Sequence, residues 1–97
     1  MYTSYVNGIV SAWQPGDAPV FAYVAWQAVH EPMQAPESYI APFSSIEDTS
    51  RRVYAGMLSA LDEGIGNITK ALKATGMYNR SVIVLSNDNG GMSGTYG

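Results

Sequence analysis

Two short apolar runs, Val20-Phe21-Ala22-Tyr23-Val24-Ala25-Trp26 and Ser81-Val82-Ile83-Val84-Leu85-Ser86, stand on either side of a long helix-period segment. Both are continuous rather than alternating and are rich in β-branched or aromatic types, the pattern of strands covered on both faces. Two such strands joined through a helix imply a parallel, right-handed crossover unit. A parallel sheet needs more than two strands and helices on both faces, and 97 residues of this make-up supply too little cover. The expectation is a piece of a larger α/β protein in which other chain segments protect the sheet edges and one face.

The remaining segments fit that plan. Tyr2, Tyr5, Val6, Ile9, Val10 and Trp13 recur at helical spacing, which predicts an amphipathic helix over Tyr2–Trp13. Gln14-Pro15-Gly16-Asp17-Ala18-Pro19 is a breaker-rich turn that ends it. Between Glu31 and Ser50, Pro32, Pro36 and Pro42 interrupt a stretch without sustained period, which reads as a long ordered loop of the kind that is often functional. Thr49 or Ser50 is placed to cap the next helix, in which Val53, Met57, Leu61, Ile65, Ile68 and Leu72 form one apolar stripe. That helix is expected to end near Gly76, where glycine takes a left-handed cap at low cost. Asn87-Asp88-Asn89-Gly90-Gly91 after the second run is a turn sequence.

Composition excludes several classes. Five basic and eight acidic side chains give a net charge of −3, and Arg51-Arg52 is the largest basic cluster, so no footprint for nucleic acid exists. No apolar run approaches the roughly 18 to 20 residues of a membrane span. Cysteine is absent, which removes disulfides, thiolate metal ligands and thiol nucleophiles from these residues.

In parallel α/β sheets, ligands bind beyond the carboxyl ends of the strands. This rule selects His30 and Glu31 after the first run, and Asp88 and Asn89 after the second, and puts both sets on one rim. Asp88 and Asn89 offer a carboxylate and an amide carbonyl, hard oxygen donors suited to calcium or magnesium. They are also ordinary turn formers, and that reading stands beside the first. An EF-hand is excluded because Leu85 would have to be its first ligand, and the glycines that follow lack a Walker lysine or GxGxxG spacing. His30, the only histidine, can donate a proton to a leaving group or a hydrogen bond to an anionic oxygen; a structural histidine beside Pro32 is the alternative. Arg51-Arg52 reads most simply as a solvated helix start, and Asp62-Glu63 as a solvated or helix-anchoring pair. Two glycosylation sequons, Asn67-Ile68-Thr69 and Asn79-Arg80-Ser81, keep a secretory, lysosomal or extracellular setting open.

Taken together, Val29-His30-Glu31-Pro32, then Arg51-Arg52-Val53-Tyr54-Ala55-Gly56-Met57 with Asp62-Glu63 and Gly66-Asn67-Ile68-Thr69 in one helix, then Ser86-Asn87-Asp88-Asn89-Gly90-Gly91, resemble the sulfatase family. The order and separations are most similar to its arylsulfatase B-like branch, over about Pro19 to Gly91. The resemblance implies an alkaline-phosphatase-like α/β fold, here partial: helix, strand, long loop, long helix, strand, within an N-terminal catalytic domain that residues 1–97 only sample. It implies hydrolysis of sulfate esters by a hydrated formylglycine, made from a Cys/Ser-x-Pro-x-Arg motif, with calcium polarising the sulfate. By the same resemblance Asp88 and Asn89 would be calcium ligands, and His30 would contact the sulfate or protonate the leaving oxygen. Sulfated sugars or aryl sulfates would be the substrates.

The chain contains no formylglycine motif and no paired aspartates of the kind that the resemblance assigns to calcium in an upstream segment. The active-site lysine of relatives belongs to a segment beyond this one. The chain alone is therefore expected to be inactive and to need the remainder of the polypeptide. The competing readings are a non-catalytic or metal-binding remnant of the same fold, and a phosphate-ester hydrolase, whose oxyanion chemistry is shared.

Overall fold

The structure, a computed structural model, describes residues 2–91. Among them the order is α1 (Tyr2–Ala12), α2 (Glu37–Ile40), a 3-10 turn over Ala41–Phe43, α3 (Thr49–Ala74) and a second 3-10 turn over Tyr78–Arg80. None of the helices is long and apolar enough to cross a membrane. The chain divides into two compact units: one combines the chain up to Trp26 with Asp62–Val82, the other Gln27–Leu61 with the segment from Ile83 onward. Each has a single buried apolar side chain among the described residues, Val10 in the first and Met57 in the second.

In the first unit, α1 ends one residue before the expected Trp13. The breaker turn is held by Asp17, whose carboxylate accepts the Gln14 N–H at 2.8 Å, while the Asp17 N–H returns to the Gln14 carbonyl at 3.0 Å. Gly16 there takes φ 107°, a backbone state that side chains with a Cβ rarely adopt. The buried stripe of α1 is rotated from the expected one: Thr3, Val6, Val10 and Trp13 turn inward, whereas Tyr2, Tyr5 and Ile9 are exposed. The rotated face fits α3 closely: Gly64 leaves room for Thr3, whose Oγ1 would lie 2.9 Å from any Cβ placed there. A tyrosine in that position would not fit so close a backbone. The C-terminal half of α3 follows the expected stripe, with Ile65, Ile68 and Leu72 part-buried. The helix ends as expected: Gly76 has φ 74° and donates to the Lys73 carbonyl at 3.2 Å.

In the second unit three expectations are corrected. The Glu31–Ser50 stretch is not loop throughout, since α2 and the first 3-10 turn occupy its middle. The cap of α3 is Asp48 rather than Thr49 or Ser50: its Oδ1 accepts the Arg51 N–H at 2.8 Å, and its carbonyl accepts the Arg52 N–H at 3.0 Å. A carboxylate does this better than a hydroxyl because it also opposes the positive end of the helix dipole. Arg52 is not solvated; it is part-buried, with Nε donating to the Ile46 carbonyl at 2.8 Å and Nη2 to the Glu47 carbonyl at 3.4 Å.

The two apolar runs form no strand among the described residues, so the parallel crossover is not assembled from them. Phe21 is 92% exposed, Val82 91% and Val84 81%. A strand takes its hydrogen bonds from neighbours, and an interior parallel strand takes its stability from layers on both faces. Two runs without further strands have neither.

Candidate functional site

His30, Asp88 and Asn89 all fall in the second unit. Each is exposed. His30 lies in the irregular segment that leaves the first apolar run, and its Nδ1 sits 3.0 Å from the Glu31 carbonyl oxygen. A carbonyl only accepts, so this contact assigns the proton to Nδ1 and leaves Nε2 to exchange protons with whatever meets the ring.

Asp88 and Asn89 occupy the bend after the second run. Asp88 Oδ1 accepts the Asn89 N–H at 2.9 Å, and Asn89 Nδ2 donates to the Gly90 carbonyl at 2.9 Å. Upstream, the Ser86 hydroxyl donates to the Asn87 carbonyl at 3.2 Å. These are the local bonds for which Asp and Asn are chosen in turns. They engage one carboxylate oxygen and the amide nitrogen, and so leave the second carboxylate oxygen and the amide oxygen as the atoms for a hard cation. Two oxygen donors fit calcium chemically but fill only part of a shell of six to eight. Among the described residues no group of three or more His, Asp or Glu side chains is gathered for a metal.

The sequons lie in the other unit. Asn67 is half-buried on α3, whereas Asn79 is exposed on the 3-10 turn over Tyr78–Arg80. The next turn is closed by the Ser81 hydroxyl, which donates to the Met77 carbonyl at 2.9 Å. Lys73 lies over the Tyr78 ring, with Nζ 4.9 Å from its centroid, and ties this turn to the end of α3.

Sequence reasoning missed the role of Arg52. The signal was present: two cations in the first turn of a helix, with no acidic residue among Thr49 to Arg52, oppose the helix dipole. Arg52 meets this by turning to the backbone carbonyls of Ile46 and Glu47. Gly56 carried a similar signal, since glycine inside a helix costs about 1 kcal/mol relative to alanine. Its Cβ position would lie 3.0 Å from Ile40 Cγ1, 3.2 Å from the Tyr39 carbonyl oxygen and 3.3 Å from Ile40 Cα. The backbone of α2 can approach α3 only because that Cβ is missing.

A family model described as sulfatase matches residues 2–97. Arylsulfatase J of Mus musculus is 53% identical over 91 residues, which covers 94% of this chain and 15% of the mouse protein. The uncharacterized sulfatase YdeN of Escherichia coli K12 is 32% identical over 90 residues, or 91% of this chain and 16% of its own length. An arylsulfatase of Klebsiella aerogenes is 25% identical over an alignment of 136 residues, covering 92% of this chain and 29% of the bacterial protein. The chain thus spans less than a third of the length of these relatives. The match nevertheless runs through both compact units and all three helices, and the chain belongs to the sulfatase family.

Proposed function

We propose that the whole protein is a sulfuric ester hydrolase of the arylsulfatase type, which cleaves sulfated sugars or aryl sulfates with calcium and a formylglycine nucleophile. The observation that carries this reading is the 53% identity to arylsulfatase J, sustained over 94% of the chain. Residues 1–97 are then part of the N-terminal catalytic domain, and the nucleophile and the remaining calcium ligands come from segments outside them.

Within this segment, Asp88 and Asn89 would hold the cation through the carboxylate and the amide oxygen that their turn does not use. When bound, calcium supplies Lewis acidity and a template for the sulfate oxygens. His30 moves a proton. Its Nδ1–H is held by the Glu31 carbonyl, so in the imidazolium form Nε2 carries the transferable proton. As the ester S–O bond breaks, Nε2–H passes its proton to the departing oxygen, and the ring is left neutral with Nδ1 still protonated. The sequons favour a secretory, lysosomal or extracellular setting, with exposed Asn79 the better acceptor.

The test uses the full-length protein with an unactivated sulfate ester, whose leaving oxygen needs a proton, and the matching phosphate ester. Sulfate release is expected to stop on chelation and return with calcium, to need more calcium in Asp88→Ala, and to fall by about 10²-fold or more in His30→Ala. Hydrolysis of the phosphate alone, or sulfate release indifferent to both substitutions, would sink the reading.

A further inference from the structure

Resting on the role of His30 proposed above, we infer that Arg52 is a positioning residue that sets the His30 ring through the loop between them. Three observations build the connection. First, residues 36–46 are a wound block rather than a slack loop: Tyr39 N–H donates to the Pro36 carbonyl at 2.9 Å, Ser44 N–H to Ala41 at 3.2 Å, and Ile46 N–H to Phe43 at 2.9 Å. Second, this block meets α3 at two points one turn apart. The Arg52 fork takes the Ile46 carbonyl at 2.8 Å and the Glu47 carbonyl at 3.4 Å, while Ile40 and the Tyr39 carbonyl press on the bare backbone of Gly56. Positions 52 and 56 share one helix face, so the two contacts fix the block against rotation as well as sliding. Third, the link from the block back to His30 is short. It runs through Glu31–Ala35, bounded by Pro32 and Pro36, whose rings fix φ. The first carbonyl of that link, Glu31, is the one that the His30 ring contacts at 3.0 Å.

A shift of the block therefore reaches the imidazole through a link of five residues, Glu31–Ala35, in which Pro32 fixes one φ and Pro36 the next after it. Arg52 suits this task because its planar fork addresses two successive carbonyls at once; a lysine ammonium is a point donor on a flexible stem and cannot hold both in fixed geometry.

The distinguishing readout is the dependence on the leaving group. An activated aryl sulfate leaves without protonation, whereas an alkyl or sugar sulfate needs the proton that His30 delivers. In the full-length protein, Arg52→Lys is expected to lower kcat/KM about tenfold on the unactivated sulfate and less than about twofold on the activated one, since misplacing a catalytic group by an ångström costs up to about 10²-fold. Gly56→Ala moves the same block without touching Arg52 and is expected to show the same selectivity. Melting temperatures of both variants are read alongside, so that a general loss of folded protein is seen as equal losses on both substrates. Equal losses, or none, overturn the positioning role. His30→Ala is the reference: if it shows the selectivity and the other two do not, the inference about Arg52 fails alone. If His30→Ala shows none, the proton-donor role of His30 fails and takes the positioning role with it.

Discussion

α3 and the apolar run Val82–Leu85 are both strongly patterned, yet one is a regular element and the other is not. α3 contains its own hydrogen bonds, is started by the Asp48 carboxylate and is stopped by Gly76 at φ 74°. Val82–Leu85 is wholly apolar but has no such internal source of bonds, and its Val84 remains 81% exposed. The difference is one of where the stabilising partners sit. A helix satisfies its backbone locally, whereas an interior strand borrows every bond and every layer from distant segments.

The largest expected effect breaks this comparison at the run. In the full-length protein, Val84→Asp puts a charge on what the sulfatase fold would cover, at a cost of about 3 kcal/mol or more, and soluble folded enzyme is expected to disappear. In the 97-residue chain the same substitution meets solvent, and helix content by circular dichroism is expected to be unchanged. A full-length variant that melts within a few degrees of the parent would show that the run is not an interior strand.

A smaller effect sharpens the comparison at the helix start. Asp48→Ala removes the cap and is expected to cost about 1 kcal/mol in urea unfolding, with Thr49→Ala and Ser50→Ala close to neutral. Equal costs at all three positions would mean that the cap is shared among them.

The same local-versus-borrowed distinction sets what could be read in advance. α1 and α3 were legible almost to the residue, because apolar period, breaker turn and glycine stop all act within a few positions. The cap was misplaced by one or two residues, since Asp48, Thr49 and Ser50 are all capping types in a row and only geometry separates them. α2 was hidden by the prolines around it, although Pro36 just before a helix is compatible with its start. The two runs were legible as strand-like composition, but their pairing depends on neighbours that composition does not name. For the site, residue chemistry singled out His30, Asp88 and Asn89, which fall in one compact unit, but the shared rim expected of them needs paired strands that the two runs do not form among the described residues. Arg52 escaped because its partners are backbone carbonyls, which look alike in every sequence.

The smallest effect has the opposite sign and probes the outer surface of α3. Three glycines lie within this helix, and two of them, Gly56 and Gly64, are buried where another segment passes close. At Gly66 an added Cβ would have no heavy atom within 4 Å. Gly66→Ala in the 97-residue chain should therefore gain only the backbone term, about 0.5 to 1 kcal/mol, read as a higher urea midpoint and more helix. If the same substitution instead destabilises the full-length protein, a further segment of the sulfatase domain must approach α3 at Gly66 as α2 does at Gly56. The sign of one methyl group then reports whether this face of the helix is also borrowed surface.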